Sequence, residues 1–113
     1  MKIYEINSNN FGKYKNRLAG LLKKPNLFGA FSKGCGHCQD MKPQWEELKK
    51  KLSHKKCGAG VVEVDSNVVP QIPDNIRGLI NGYPTIVIIK DGDLSKEYSG
   101  DRSVDDMYNF CKH

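Results

Sequence analysis

Residues 26–45 read NLFGAFSKGCGHCQDMKPQW and carry the strongest structural signal in the chain. Their first part, residues 26–31, is a short apolar run that predicts a buried strand. A Cys-Gly-His-Cys motif follows at residues 35–38. Behind it, residues 39–53 place apolar side chains on one helical face. These side chains are Met41, Trp45, Leu48 and Leu52. The pattern predicts a strand, a turn and a helix whose start carries two cysteines.

A Cys-x-x-Cys pair at a helix start has a definite redox chemistry. The thiolate is the reactive form of cysteine, and the partial positive charge at a helix N-terminus favours it. Cys35 is therefore predicted to be the nucleophile, and Cys38, one turn deeper, the thiol that resolves the mixed disulfide. Gly36 and His37 stand between them, and a charged His37 favours the Cys35 thiolate further. The Cys35–Cys38 disulfide is the redox group, and we expect no other cofactor.

The same cysteines belong to a second pattern, which resembles a set of zinc ligands. Cys35, Cys38, His54 and Cys57 have the spacing C-x2-C-x15-H-x2-C. The predicted helix argues against a shared metal, because its 15 residues rise about 22 Å. Zinc needs its ligands within about 2.3 Å of the ion. We therefore expect no metal site.

The rest of the chain alternates strands and helices and then ends with a hairpin and a helix. Asp91-Gly92 is a hairpin signal between the last two predicted strands. Strands are predicted over residues 2–6, 60–65, 84–90 and 94–99, and helices from Ser8 through Leu22, over residues 73–81 and from Ser103. This order predicts one α/β domain over residues 1–113 with a sheet of mixed direction.

Composition narrows the function classes. The chain has 113 residues, 38% of them hydrophobic and 27% charged, which is typical of a single soluble domain. The net charge is +5, but the lysines are spread along the chain, so we expect a solvated surface and no nucleic-acid partner.

The longest strongly apolar run, residues 86–89, is far shorter than the ~20 residues of a membrane helix. The first residues lack the apolar stretch of a signal peptide. We expect a monomer and leave the compartment open.

Four blocks of this sequence, in order, resemble the thioredoxin superfamily, and more closely the catalytic domains of protein disulfide isomerase. The blocks are the Cys-Gly-His-Cys motif, Pro43 with Trp45, residues 82–85 (Gly-Tyr-Pro-Thr), and Tyr98 with residues 102–106. The resemblance implies a thioredoxin fold, with a central mixed sheet of four to five strands flanked by helices on both faces. It also implies a protein disulfide oxidoreductase or isomerase that exchanges disulfides with cysteine-containing protein substrates and with a thiol/disulfide redox partner.

The resemblance also implies roles for individual residues. A cis peptide bond is expected before Pro84, beside Cys35, with Tyr83, Pro84 and Thr85 facing the substrate. Arg102 resembles the isomerase arginine that approaches the second cysteine; its alternative is a surface arginine.

Three positions depart from the family pattern. Gly34 stands where the family has tryptophan, Gly29 where it has a buried acid, and Glu63 where it has the lysine that pairs with that acid. We expect Glu63 to point inward and to accept the proton of Cys38, although a register slip of one residue would turn it to solvent. The departures also motivate an alternative function, a thioredoxin-fold binding module or reductase-type thioredoxin with little isomerase activity. Whether Cys57 and Cys111 pair stays open.

Overall fold

A computed structural model of the protein describes residues 3–100 and 103–112. Five strands form one sheet in the order β1-β3-β2-β4-β5. The strands are β1 (Ile3–Ile6), β2 (Asn26–Phe31), β3 (Gly60–Asp65), β4 (Thr85–Lys90) and β5 (Asp93–Glu97). The helices are α1 (Phe11–Tyr14), α2 (Leu18–Leu21), α3 (Gly36–His54), α4 (Asp74–Arg77) and α5 (Val104–Cys111). A 3-10 helix, Ser66–Gln71, follows β3. The predicted mixed sheet with helices on both faces is confirmed.

The direction of the strands decides where the reactive motif lies. β1, β3 and β2 run parallel, whereas β4 is antiparallel to β2 and β5 is antiparallel to β4. All six residues of β2 are buried, because this central strand is covered on both faces. The carboxyl ends of the three parallel strands meet at one edge of the sheet, and α3 begins at this edge, just beyond β2.

Two apolar layers cover the sheet. On one face, Trp45 and Leu48 of α3 pack with Met107 of α5 against Val61 of β3. On the other face, α1, α2, the 3-10 helix and α4 pack their apolar side chains against Phe28 and neighbouring strand residues. Alternate residues of β2 and β3 therefore enter different layers, as the two-residue repeat of a strand requires.

Two predicted helices are shorter than expected. The helix predicted from Ser8 through Leu22 is divided into α1 and α2, and the helix predicted over residues 73–81 is the single turn α4, which ends at Gly78. Short helices are marginal on their own, and glycines such as Gly12 and Gly20 weaken them further. Buried contacts of Phe11, Leu18 and Leu22 therefore decide where these turns form.

The hairpin between β4 and β5 follows the prediction from Asp91-Gly92. Asp91 has φ 56° and Gly92 has φ 78°, and a two-residue turn of type I′ requires positive φ at both positions.

Within the described part of the chain, no helix has the length and apolar character needed to cross a bilayer.

Gly29 sits on the central strand β2, directly beneath the indole of Trp45. A Cβ atom at residue 29 would lie 2.7 Å from Cη2 of Trp45 and 2.8 Å from Cε2 of Phe31. Both rings are packed in the layer beneath α3, with centroids 4.9 Å apart. The largest side chain of the core therefore occupies the space that Gly29 leaves empty.

Gly29→Ala is expected to lower the free energy of unfolding by about 1–3 kcal/mol, because the new methyl group overpacks a site bounded by two rigid rings. Urea denaturation measures this change. Gly20→Ala is the matched control, since a Cβ atom there meets nothing within 4 Å. Alanine in helix α2 should stabilise by about 0.5–1 kcal/mol. Equal effects of the two substitutions would contradict the packing argument.

Candidate active site

The two motif cysteines lie at the first turn of α3. Cys35 is the N-cap residue, and its Sγ accepts a hydrogen bond from the backbone N–H of Cys38, with an N–S distance of 3.3 Å. Cys35 is partly exposed, whereas Cys38 is buried. No acidic residue stands in the first turn of the helix. The helix N-terminus thus presents its partial positive charge and an N–H group to the Cys35 sulfur, an arrangement that favours a thiolate.

Tyr83, two residues before β4, lies against Cys35. The peptide bond between Tyr83 and Pro84 is cis, and Cys35 Sγ donates a hydrogen bond to the Tyr83 carbonyl oxygen over 3.3 Å. Thr85 Oγ1 donates to the Gly82 carbonyl oxygen at 2.6 Å, which holds this loop. Burial, followed by the charges of Asp65 and Cys38, raises the pKa of the Tyr83 phenol. The predicted substrate-facing segment therefore borders the predicted nucleophile.

A cavity of about 360 Å³ lies on the other side of the helix start, with Cys38 in its lining. Lys42 of α3 and Glu63 of β3 line the same cavity, as does Asp65 at the end of that strand. Cys38 Sγ also accepts a hydrogen bond from the Ser32 N–H, with an N–S distance of 3.4 Å. The buried sulfur thus borders a polar space that also contains carboxylate and ammonium groups.

Glu63 faces α3, where its side chain is only 16% exposed. Its Oε1 accepts from the Trp45 indole N–H at 2.6 Å and lies 2.7 Å from Lys49 Nζ. Its Oε2 lies 3.6 Å from Lys42 Nζ. The alternative register, in which this side chain faces solvent, does not occur: Val62 and Val64 enter the opposite apolar layer, and both faces of β3 are covered.

Lys49 is the centre of an ionic network beneath α3. Its side chain is 8% exposed, and its ammonium contacts Glu5, Glu46 at 2.9 Å and Glu63 at 2.7 Å. Burial acts to lower the pKa of Lys49, but the hydrogen bonds that its ammonium donates to the three carboxylates outweigh burial and raise the pKa. Likewise, burial acts to raise the pKa of Glu46, and the opposing contacts with Lys49 and Lys42 lower it. Two ammonium groups, those of Lys42 and Lys49, therefore lie among the three clustered carboxylates.

The remaining predicted residues are placed as follows. Gly36 and His37 are exposed on the first turn of α3, beside Cys35. Arg102, predicted to approach Cys38, lies outside the described residues. The zinc-like pattern is not assembled, because α3 separates His54 from Cys35 by 19 helical residues, or roughly 28 Å. Cys57 is instead joined to Cys111 by a disulfide bond.

Sequence reasoning missed three contributors to the site, namely Ser32, Lys42 and Lys49. Ser32 acts through its backbone N–H, so its side chain gave no signal. Lys49 lies one position from the predicted apolar stripe, and a lysine among several others on a helix reads as solvent-exposed. Its burial depends on carboxylates from β1 and β3, which are distant in sequence.

Comparison with known proteins then places this geometry in a family. The sequence profile described as thioredoxin matches residues 3–113. The chain belongs to the thioredoxin family. The relatives of this chain include protein disulfide isomerases.

Individual relatives show the extent of the likeness. Protein disulfide-isomerase of Saccharomyces cerevisiae is 30% identical over 104 residues, covering 89% of this chain and 19% of the relative. Thioredoxin domain-containing protein R362 of Acanthamoeba polyphaga mimivirus is 32% identical over 91 residues, covering 77% of this chain and 26% of the relative. The solved structure of human ERp44, in its zinc-bound form, has a TM-score of 0.70 at 21% identity, covering 99% of this chain and 30% of that chain.

This thioredoxin-family chain spans only a small part of such relatives. It covers about a fifth of the yeast isomerase and about a quarter of the mimivirus protein. The family membership thus establishes a thioredoxin-type domain, and the solved structures support the fold.

The network at Lys49 gives a stability prediction. Lys49→Met removes the ammonium but keeps the apolar stem, leaving three carboxylates facing one another. Removing one partner of a buried pair costs about 3–5 kcal/mol; because Glu5 and Glu46 are half exposed, we expect about 2 kcal/mol, measured by urea denaturation at pH 7.

The pH dependence of that loss checks its electrostatic origin. The folded-state pKa of Glu46 is lowered from 4.5, so its contribution is present above pH 4.5 and is lost as the pH falls through the folded value. The difference between wild type and Lys49→Met should therefore narrow below pH 4.5. Lys50→Met, at an exposed neighbour, should change stability by less than about 0.5 kcal/mol. A pH-independent difference would contradict an ionic origin.

Proposed function

We propose that this protein is a thiol–disulfide oxidoreductase of the protein disulfide isomerase type, which exchanges disulfides with cysteine-containing protein substrates. The observation that carries the proposal is the position of Cys35 at the N-cap of α3, with the Cys38 N–H 3.3 Å from its sulfur. Membership in an oxidoreductase family and the isomerase relatives at about 30% identity support it.

The proposed reaction proceeds through one mixed disulfide. The Cys35 thiolate attacks one sulfur of a substrate disulfide, and the other substrate sulfur leaves as a thiolate. Cys38 then loses its proton and attacks Cys35 Sγ, which releases the first substrate sulfur and leaves a Cys35–Cys38 disulfide. The substrate gains two electrons and the motif loses two, so a thiol redox partner must reduce the motif before the next cycle. Operating in reverse, the oxidised motif donates its disulfide to a dithiol substrate.

Neighbouring residues supply substrate contacts and tune the potential. The Tyr83 carbonyl lies 3.3 Å from Cys35 Sγ, so an extended substrate segment that binds along Tyr83, Pro84 and Thr85 brings its sulfur to the nucleophile. Gly36 leaves the first helical turn open, since a Cβ atom there meets nothing within 4 Å.

His37 in its charged form stabilises the Cys35 thiolate and makes the pair more oxidising. A His37→Pro variant should therefore have a lower reduction potential, and an unchanged potential would remove this role.

Glu63 is the proposed proton acceptor for Cys38. Both residues line the same cavity of about 360 Å³, which is large enough to hold several water molecules at about 30 Å³ each. Lys42 Nζ lies 3.6 Å from Oε2 of Glu63 and Lys49 Nζ lies 2.7 Å from Oε1, and a carboxylate oxygen has lone pairs that can accept a proton. A buried thiol loses its proton with difficulty, because burial disfavours the thiolate. A water in the cavity can therefore relay the proton of Cys38 to this carboxylate.

A binding module that holds partners with little turnover is the second candidate. Gly29 and Gly34, where the family has an acid and a tryptophan, motivate it. Turnover separates the two candidates directly.

Wild-type protein should reduce insulin in the presence of a competent dithiol reductant, because Cys35 and Cys38 are placed to exchange. Cys35→Ser should abolish turnover, since no nucleophile remains at the N-cap. Cys38→Ser should instead accumulate mixed disulfides with substrate, because resolution is blocked after the first attack. Non-reducing gels detect these adducts. Absence of turnover by the wild type would favour the binding module.

Glu63→Gln should slow resolution of the Cys35 mixed disulfide on the order of 10²-fold at neutral pH while leaving the first attack unchanged. Stopped-flow measurement across pH 6 to 9 separates the two steps. Glu5→Gln is the matched control, since Glu5 lines the same cavity and also contacts Lys49. It should leave resolution unchanged. Equal second-step rates for wild type and Glu63→Gln would exclude Glu63 as the acceptor.

A further inference from the structure

A second pair of cysteines lies at the opposite end of α3 from the motif. Cys57, three residues beyond the end of this helix, is bonded to Cys111, the last residue of α5. Their Cα atoms are 5.6 Å apart, within the usual range for a disulfide. Both residues are buried, with 7% of Cys57 and 0% of Cys111 exposed. The bond joins positions 54 residues apart in the sequence.

The helix ends beside this pair have the opposite polarity to the helix end beside the motif. Cys35 stands at the N-terminus of a helix, where partial positive charge favours a thiolate. Cys111 is the last residue of α5, and Cys57 follows the C-terminus of α3. Helix C-termini carry partial negative charge, which disfavours a thiolate. A thiolate of low stability is also a poor leaving group in exchange, so this disulfide is a poor target for an attacking thiol.

Helix α5 is held to the domain by tertiary contacts and by the disulfide bond. It contains eight residues, fewer than the ~12–15 that make an isolated helix even marginal. Its other contacts include an exposed ion pair between Asp105 and Lys51, a hydrogen bond from the Tyr108 hydroxyl to the Lys56 carbonyl oxygen, and the packing of Met107. The disulfide fixes the last turn of α5 to the segment that leads into β3.

We propose that Cys57–Cys111 is a structural crosslink that attaches α5 to the core and stays outside the exchange chemistry of Cys35 and Cys38. The domain then contains two cysteine pairs with separate roles: a redox pair at the N-terminus of α3 and a structural pair beyond its C-terminus. The crosslink depends on an oxidant during folding, so the stability of this domain depends on the redox conditions under which it folds.

Forming the crosslink removes two electrons from the cysteines, so it requires an oxidant. A small-molecule disulfide such as glutathione disulfide can serve as this oxidant. The Cys57 thiolate attacks one sulfur of the oxidant and releases one glutathione thiolate. The Cys111 thiolate then attacks Cys57 Sγ in this mixed disulfide and releases the second. Two protons from the cysteines pass to the two glutathione thiolates, and the cysteines lose two electrons. Because Cys111 is fully buried in the folded protein, this reaction precedes the packing of α5.

Differential alkylation followed by mass mapping tests the separation of roles. Folded, oxidised protein is titrated with dithiothreitol, and the exposed thiols are labelled with iodoacetamide. Cys35 should become labelled at low reductant, while Cys57 and Cys111 stay unlabelled until urea unfolds the chain. Labelling of Cys57 or Cys111 at the same reductant concentration as Cys35 in the folded protein would overturn the proposal.

Stability measurements test the structural role, with Cys35→Ala/Cys38→Ala protein as the background. In this variant the crosslink is the disulfide that a reductant removes. Closing a loop of 54 residues corresponds to about a 10³-fold change in the unfolding equilibrium constant on the chain-entropy account. Urea denaturation with and without reductant should show a change of that order. An unchanged equilibrium constant would overturn the proposal.

The reciprocal variant completes the test. Cys57→Ala/Cys111→Ala protein should reduce insulin at the wild-type rate at temperatures where it is folded, and its stability should not respond to reductant. Loss of activity in the folded variant would show that this pair takes part in exchange. Failure of the wild type to reduce insulin would count against the proposed function alone. The urea denaturation measurements still test the crosslink, because they do not depend on turnover.

Discussion

The contact on which the rest of the structure depends is that of Trp45 with the central strand. Its indole fills the space above Gly29 and donates its N–H to Glu63 on the neighbouring strand. One side chain of α3 thereby contacts both β2 and β3, which sets the position of the helix on the sheet. Since the interior is close-packed, a shift of this ring would displace the whole helix.

The position of α3 in turn determines three chemically different regions. Its N-terminus places Cys35 next to the loop before β4, where the Tyr83 carbonyl lies. Its middle turns bring Lys49 within reach of carboxylates from two strands. Beyond its C-terminus, Cys57 meets Cys111. The helix dipole favours a thiolate at the first region and disfavours one at the last, so one element separates a redox pair from a structural pair.

The family resemblance implies a buried acid on β2 paired with a lysine on β3. In this protein the acid is on β3 and its lysine partners are on α3. Gly29 has no side chain to offer, and an aromatic ring occupies its space. The carboxylate stands instead on β3, and its ammonium partners come from the helix above. This arrangement places the Glu63 side chain in the lining of the cavity that Cys38 borders. Lys42 and Lys49 both contact Glu63, and this pairing offsets the cost of placing a carboxylate beneath a helix.

The sequence by itself determined the elements whose signals are local. The apolar run of residues 26–31, the spacing behind the cysteines and the Asp91-Gly92 turn each specify their structure through neighbours in the chain. Tertiary structure alone decided the division of the helix predicted from Ser8, the burial of Lys49 and the pairing of Cys57 with Cys111. Each of these outcomes depends on atoms distant in sequence. Periodicity reports which face of an element is apolar, but it does not report what that face meets, and the partner determines whether a lysine is solvated or buried among carboxylates.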